Sequence, residues 1–349
     1  MLAIAMASAV LISGCSAFPK DNQSITVTRT QMHMGTLVTI TAAAPTESVA
    51  LAASTEGFSE IHRLDVLLST WISSSELSAV NAAAGKAPVR VSSDTLQIVK
   101  LALRVAELTD GAFNIAIGPA VDLWNVMERQ DVPTVEELEH VRDQIVLSGV
   151  RIDNAERTIF LERAGMRIDV GGIAKGYAAD RAVMRMKKAG ATGGIVALSG
   201  DIKAFGRLPK EKRATVGIQH PRMPEELLLV IDLDDEAIST AGDYERYFER
   251  DGVRYHHILD PATLQPAKEC QSVSIIAKEG VWADGLDTGI FVLGPERGMR
   301  LIERLGDVQA IIVDREGKVH MSAELRKRVR LHLGEEEQPW QQDTVLRRR

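Results

Sequence analysis

The apolar and polar positions along this chain change period repeatedly, from alternation to helical spacing and back. Residues 24–41 alternate polar with β-branched side chains, which predicts two strands joined by a turn at 32–36. Helical spacing with capping signals predicts helices over about 45–68, over 93–108 and from Thr134 onward. Further helices are predicted at 172–188, 282–293 and 296–305, and further strands at 145–150, 158–161, 166–168, 194–199, 214–218, 227–233, 253–258, 272–277, 309–313 and 318–321.

Helices and strands follow one another irregularly, and no strand–helix unit repeats along the chain. This order favours an α+β fold with largely antiparallel sheets and flanking helices over a doubly wound parallel sheet. The final residues, 334–349, are charged and rich in glutamine, so we expect a disordered tail there.

The composition is typical of a globular protein. The chain has 349 residues, 45% of them hydrophobic, and a net charge of −7 from 41 basic and 48 acidic residues. It is long enough for one large domain or two intimate ones, and this composition excludes disordered, collagen-like and polytopic membrane proteins. A mildly acidic balance gives no reason to expect a nucleic-acid partner, because phosphate binding requires a basic face.

The N-terminus has the pattern of a lipoprotein signal. Residues 1–14 are apolar and uncharged, too short a run to span a bilayer, and they predict a signal peptide. The sequence at 12–15 resembles the bacterial lipobox, in which the cysteine, here Cys15, carries the lipid; 15–24 then reads as a polar tether. No Lys or Arg precedes the apolar run, and the alternative is a cytoplasmic protein with an apolar N-terminus. Cys270 is expected to be a packed side chain.

A Gly-rich junction at 168–180 is the first candidate for binding chemistry. Gly171 and Gly172 precede a predicted helix, whose free N–H groups and dipole favour an anion such as phosphate. Lys175 would add positive charge, and Asp169 would accept hydrogen bonds. The structural alternative is that Asp169 caps the helix and the glycines form a tight turn.

A second candidate lies on the predicted helix at 282–293. Asp284 and Thr288 are four residues apart, so they share one helix face and present a carboxylate beside a hydroxyl. Such oxygen ligands suit Mg²⁺, which completes its coordination shell with water and phosphate. The alternative is that Asp284 is a helix cap.

Three further stretches are weaker on their own. His256 and His257 are adjacent in a predicted strand, so only one of them faces a given pocket, and 260–261 forms a turn. Residues 198–202 form a strand that ends in a Gly-Asp turn, and 110–119 is rich in small residues.

In this order the stretches resemble the ApbE family, the FAD:protein FMN transferases. The matching blocks are 34–36, 68–81, 110–113, 169–176, 200–202, 257–261 and 283–288. The resemblance covers roughly 32–321 and implies one ApbE-like domain over 25–325, with FAD in a cleft between two intimate subdomains.

The resemblance also implies a reaction and a set of site residues. Mg²⁺ would lie at the FAD pyrophosphate, and the FMN half would pass to a threonine or serine hydroxyl of a target protein, releasing AMP. The implied metal ligands are Asp284, Thr288 and the carbonyl of Gly172. The general base would be His257 or Asp284. The implied FAD contacts are Met34, Trp71, Ala112, Phe113, Asn114, Asp169, Lys175 and His257.

Taken with the lipobox, the resemblance implies a bacterial membrane-anchored lipoprotein that faces the periplasm. Its targets would be flavoprotein subunits of membrane redox complexes that carry an acceptor threonine.

Three positions depart from the family pattern: Asn114 replaces a common aspartate, Leu264 replaces a turn glycine, and Asp287 stands where many members have a neutral residue. Two alternatives therefore stay open beside the transferase: an FAD pyrophosphatase, with water as acceptor, and a non-catalytic flavin carrier.

Overall fold

A computed structural model describes residues 24–209, 212–333 and 336–339 of the chain. The α-helices are α1 (Glu47–Leu68), α2 (Glu76–Ala82), α3 (Ser93–Leu108), α4 (Gly118–Trp124), α5 (Val135–Arg142), α6 (Ala174–Lys188) and α7 (Gly280–Leu305). The strands are β1 (Ile25–His33), β2 (Thr36–Ala44), β3 (Val89–Arg90), β4 (Val150–Asp153), β5 (Thr158–Leu161), β6 (Gly193–Leu198), β7 (Asp201–Gly206), β8 (Ala214–His220), β9 (Met223–Leu233), β10 (Ala237–Gly242), β11 (Tyr247–Arg250), β12 (Val253–His256), β13 (Cys270–Ala277), β14 (Gln309–Asp314), β15 (Val319–Met321), β16 (Val329–Leu333) and β17 (Glu336–Pro339).

The centre of the fold is an eight-stranded sheet in the order β1-β2-β6-β7-β10-β13-β14-β15. Its inner strand β13 is buried along its whole length, because both faces of the sheet are covered. Ile275 packs into the main core with α1, α6 and α7, whereas its neighbour Ile276 packs on the opposite face. Side chains that alternate in direction along a strand thus serve two separate cores.

A second sheet, in the order β17-β16-β9-β8, covers that opposite face. Two smaller sheets, β3-β5-β4 and β11-β12, lie outside these layers. A third apolar cluster joins α4 and α5 to β11 and β12 around the fully buried Trp124, whose Nε1 donates to the carbonyl of Leu264 at 2.8 Å. Every strand pairing among the described residues is antiparallel, so the predicted α+β class is confirmed.

Most predicted elements lie within a few residues of the observed ones. The β1–β2 hairpin has its two-residue turn at Met34 and Gly35. Their φ values of 49° and 71° are the left-handed pair that such a turn requires. The predicted break between the last two helices is correct, because α7 leaves helical geometry at Gly294 (φ 79°), just before Pro295.

The structure corrects several predictions. Residues 145–150 contain a short 3₁₀ turn, Leu147–Gly149, in place of a strand, and 166–168 form no strand. Strands β7 and β10 were not predicted, because their short runs of mixed polarity lack clear alternation. Within the predicted disordered tail, β17 pairs with β16, so that part of the prediction is wrong.

The predicted signal peptide (1–14), Cys15 and nearly all of the tether lie outside the described residues. Within the described part of the chain, no helix combines the length and apolar character needed to cross a membrane. Cys270 is buried, which confirms the prediction that it is a packing residue.

Burial of His256 makes the stability of the fold depend on pH. Its Nε2 lies 2.8 Å from the carbonyl of Ala267, and burial lowers its pKa below the ordinary value. The unfolded chain therefore binds a proton more readily below about pH 6.5, and His256 contributes stability that is lost as pH falls through that value. We expect wild type to lose about 1 kcal/mol more than His256→Gln between pH 7 and pH 5, measured by urea unfolding. Equal losses would contradict the assignment.

Candidate active site

A cleft of about 440 Å³ opens at one end of the main sheet. Its walls come from the β1–β2 turn, from the segment after α3, from the loop before α6, from the ends of β7 and β10, from the loop after β12 and from the first half of α7. The predicted site residues that line it are Ala112, Phe113, Asn114, Asp169, Gly172, Lys175, His257, Asp284 and Thr288. The fold thus brings together most residues that the sequence singled out.

Helices α6 and α7 cap each other through a reciprocal pair of aspartates. Asp284 of α7 accepts a hydrogen bond of 2.8 Å from the backbone N–H of Gly176, in the first turn of α6. Asp180 of α6 accepts from the N–H groups of Gly280 and Val281, at 2.8 and 2.9 Å, where α7 begins. Asp284 is therefore a cap, but of the neighbouring helix rather than of its own.

An acidic cluster forms where α7 faces the ends of β7 and β10. Ligand oxygens of Asp201, Asp284 and Asp287 all lie within 4.8 Å of one another, and the three residues are buried. Ser239 of β10 joins two of them, because its Oγ lies 2.5 Å from both Asp201 Oδ1 and Asp287 Oδ2. Burial and the neighbouring carboxylates raise the pKa of Asp287, and the same two causes raise that of Asp284 to about 7.

Lys175 is the cation that faces this cluster. Its Nζ hydrogen-bonds to Asp201 Oδ2 and lies 3.6 Å from Asp284 Oδ1. Burial disfavours its charge, yet the attraction of these carboxylates raises its pKa overall, so it is protonated at neutral pH. Three carboxylates against one ammonium leave an excess of acidic groups in the cleft.

Much of the predicted anion site is already occupied by the protein itself. Gly171 donates its N–H to Asp169 Oδ1 at 2.6 Å, and Gly176 donates to Asp284. The sequence predicted free N–H groups for a phosphate at this helix end. The structure shows that protein carboxylates take two of them, because Asp169 and α7 fold back onto the turn.

His257, in the loop after β12, lines the cleft and is exposed. Its Nδ1 is 3.3 Å from the carbonyl oxygen of Arg246, an acceptor, so Nδ1 carries the proton and Nε2 keeps its lone pair. Enclosure by the walls, with repulsion from Arg246, lowers the pKa of His257 below its ordinary value. The ring is therefore neutral at pH 7 and able to accept a proton. Its neighbour His256 points into the core, as alternation along a strand requires.

Two predicted FAD contacts do not line the cleft in this structure. Met34 forms the hairpin turn, where its N–H donates to Asp65 Oδ2 at 2.8 Å, and the adjacent Gly35 and Thr36 reach the cleft instead. Trp71 is 84% exposed, after the end of α1. Asn114, one of the predicted FAD contacts that line the cleft, accepts from the N–H of Ala116 at 2.8 Å and begins a 3₁₀ turn. An amide oxygen fills this capping role as a carboxylate would.

Sequence reasoning missed the central role of three residues. The sequence analysis gives Asp201 as part of a Gly-Asp turn and of a matching block, and Asp287 as part of a matching block and a departure from the family pattern, with no role at the site for either, and it does not single out Ser239. The available signal was the polar character of Ser239 in an otherwise buried strand and of Asp287 one residue before Thr288. Neither shows which residues meet, because Ser239 lies 38 positions from Asp201 and 48 from Asp287.

The cluster fits a divalent cation. Three buried carboxylates with a hydroxyl nearby, that of Thr288, form an all-oxygen donor set of the kind that Mg²⁺ prefers. A Cβ placed on Gly172 would lie 3.3 Å from Thr288 Oγ1, so Gly172 and Thr288 meet beside the carboxylates.

Removal of the Ser239 hydroxyl tests the cluster. We expect Ser239→Ala to weaken Mg²⁺ binding about tenfold, because the two carboxylates lose the group that orients them. Isothermal titration with Mg²⁺ measures this, and Thr240→Val, at the next and less buried position of β10, is the matched control. Unchanged Mg²⁺ affinity in Ser239→Ala would remove Ser239 from the site.

Comparison with known proteins identifies the family to which this chain is similar. The profile of the ApbE family matches residues 34–312. A Treponema pallidum protein named FAD:protein FMN transferase is 37% identical over 297 residues, covering 80% of this chain and 82% of that protein. A Vibrio cholerae protein of the same name is 34% identical over 309 residues, covering 86% and 90%.

Solved structures agree with this placement. The ApbE protein from Thermotoga maritima matches with a TM-score of 0.80 at 31% identity, over 86% of this chain and 98% of that one. The flavin transferase ApbE from Vibrio cholerae matches with a TM-score of 0.78 at 30% identity, over 87% and 99%.

The fold and these relatives define an enzyme of the α+β class, and its cleft has buried carboxylates where α7 faces the ends of β7 and β10. The chain belongs to the ApbE family.

Proposed function

We propose that this chain transfers the FMN half of FAD to a threonine or serine hydroxyl of a target protein, with Mg²⁺ and with release of AMP. The observation that carries the proposal is the Asp201–Asp284–Asp287 cluster with Lys175 in a cleft of this family's fold. Relatives named FAD:protein FMN transferase support the choice of reaction.

The charge of the cleft supports a metal-dependent reaction. Three buried acidic groups face Lys175, and two backbone N–H groups of the α6 end already serve protein carboxylates, so the protein by itself offers little unpaired positive charge to a pyrophosphate. A divalent cation held by Asp201, Asp284, Asp287 and Thr288 would supply that positive charge and neutralise charge on the phosphate oxygens.

Lys175, His257 and Asp284 are the residues of the chain that would bind the phosphates and accept the proton. In the proposed transfer the acceptor oxygen forms a bond to the FMN phosphorus, and the bond from that phosphorus to the bridging oxygen breaks, so AMP leaves. Lys175 supplies a fixed positive charge beside the phosphates. His257, neutral and with Nε2 available, takes the proton of the acceptor hydroxyl; Asp284 is the weaker candidate base because Gly176 and Lys175 already engage it. No nucleophile of the enzyme is required.

Position in the cell follows from the predicted N-terminus. We propose that Cys15 carries a lipid anchor and that the domain faces the periplasm, where flavoprotein subunits of membrane redox complexes present the acceptor hydroxyl. The lipobox resemblance at 12–15 supports this assignment.

The proposed reaction can be tested with a natural acceptor pool. Membranes from cells that lack this chain are incubated with the full protein, FAD and Mg²⁺, and covalent flavin is followed by in-gel fluorescence and peptide mass spectrometry. We expect FMN on a threonine or serine, with AMP in equal amount. FMN and AMP formed without labelled protein would indicate the pyrophosphatase instead. Bound FAD that stays intact with Mg²⁺ present would indicate a carrier.

Replacement of His257 tests the proposed base. We expect His257→Gln to lower flavin transfer about 10²- to 10⁴-fold, since proton abstraction from the acceptor is lost while the glutamine still fills the wall. Single-turnover transfer and FAD fluorescence quenching are measured together, with His256→Gln as the control for the adjacent position. Normal transfer by His257→Gln would exclude it as the base.

A further inference from the structure

Strand β1 forms an open edge of the main sheet, and it ends beside the cleft. It pairs with β2 over nine successive residues without a register shift, and among the described residues no other strand pairs with it. At the other edge, β15 has only three residues. The long edge leads directly into the Met34–Gly35 turn, next to which Thr36 lines the cleft.

The geometry of the turn shows which backbone groups face outward. In a two-residue hairpin the flanking residues, here His33 and Thr36, form a hydrogen-bonded pair, and bonded pairs then alternate along the ladder. The N–H and C=O groups of residues 26, 28, 30 and 32 therefore point away from β2. None of them makes a backbone hydrogen bond to another described element. The edge offers four donors and four acceptors at a two-residue spacing.

This edge lacks the features by which proteins usually block strand pairing. It contains no proline, no lysine and no bulge. Its one arginine, Arg29, does not guard it, because the guanidinium turns onto α1, donating to Thr55 Oγ1 at 2.7 Å and lying 5.5 Å from the ring of Phe58. Met32 and Leu37, a cross-strand pair next to the turn, are 66% and 61% exposed and provide apolar contact area.

We propose that β1 is the docking edge for the acceptor polypeptide, which adds to the sheet as an extended strand and leads its hydroxyl residue into the cleft. This inference rests on the proposed transfer, which requires a protein to approach the cleft. A strand added outside β1 would be separated from β7, where Asp201 lies, by four strand spacings, a distance of about 19 Å. About six extended residues span that distance, so one segment can both pair with β1 and reach the site.

Proline substitutions at the outward positions test the edge. Thr28→Pro and Thr30→Pro each remove one outward N–H while edge strands tolerate proline. We expect each to lower flavin transfer to the membrane acceptor pool roughly three- to tenfold at limiting acceptor, from the loss of one hydrogen bond. FAD fluorescence quenching should stay unchanged. Thr28→Val and Thr30→Val, which keep the N–H, are the matched controls and should transfer normally.

The outcomes separate this inference from the proposed function. If the wild-type protein labels no acceptor, the transfer itself is wrong. If it labels the acceptor and both proline variants do so equally well, the docking edge is wrong.

Hydrogen–deuterium exchange of the wild-type protein gives an independent measurement should the proline variants fail to fold. The outward amides of β1, those of residues 26, 28, 30 and 32, should exchange rapidly in the free protein and slowly with acceptor membranes. Protection of these outward amides in the free protein, or a dimer that Thr28→Pro dissociates, would show that the chain's own N-terminal segment or a second copy occupies the edge, and either result overturns the proposal.

Discussion

Asp284→Ala is expected to retain FAD and to lose Mg²⁺-dependent flavin transfer about 10²- to 10³-fold. Asp284 contributes one of three clustered carboxylates, so its removal takes away a ligand and a charge from the place where we put the metal. The measurements are FAD fluorescence quenching, Mg²⁺ titration and the rate of covalent labelling.

The reciprocal aspartates supply a matched control for this experiment. Asp284→Ala also removes the cap of α6, which by itself destabilises the protein by about 1 kcal/mol. Asp180→Ala removes the corresponding cap of α7, at a carboxylate that does not line the cleft. We expect similar losses of stability in both variants but a loss of Mg²⁺ dependence only in Asp284→Ala. If both variants transfer flavin normally with Mg²⁺, Asp284 is a cap and nothing more.

Gly176→Ala is expected to destabilise the protein by about 3 kcal/mol, the upper part of the range for overpacking. A Cβ on Gly176 would lie 2.1 Å from the carbonyl oxygen of Gly280 and 2.8 Å from Asp284 Cβ. The first atom belongs to the backbone of α7, so a rotamer change cannot relieve the clash, and α6 and α7 must separate. Separation of the two helices also moves Asp284 away from Lys175, so flavin transfer should fall with stability.

Gly200→Ala is the control for Gly176→Ala. Gly200 also lines the cleft, but a Cβ there would meet nothing nearer than 3.4 Å, an ordinary contact. We expect a change within about 0.5 kcal/mol, measured by urea unfolding. Equal stability of the two variants would mean that the α6–α7 crossing tolerates separation.

The match between prediction and structure differs between local and distant features. The capping box at Thr134 and Glu137, the hairpin at Met34–Gly35 and the break at Gly294 were all readable from the sequence, because each depends on residues within a few positions. Short strands such as β7 and β10 were not predicted from the sequence, because pairing with neighbouring strands, rather than their own residue pattern, holds them in the sheet.

For the site, helical spacing was enough to place Asp284 and Thr288 on one face of α7. It was not enough to show that α6 supplies the hydrogen-bond donor for Asp284, or that Asp169 takes the N–H of Gly171. The assignment of Met34 and Trp71 as FAD contacts came from the resemblance. Neither residue lines the cleft in this structure, so the structure gives the assignment no support and it stays a prediction.

The residues alone therefore predicted an α+β protein that resembles the ApbE family, with a helix that carries the oxygen ligands Asp284 and Thr288 on one face. The order of the strands, and the crossing of α6 and α7 at Gly176 and Gly280, brought Asp201 and Ser239 to Asp287. Periodicity and capping act over a few residues, whereas these contacts join positions 38 and 48 apart and depend on how whole layers pack. The acidic excess that favours a metal, and the open edge of β1 beside the cleft, exist only in the folded arrangement.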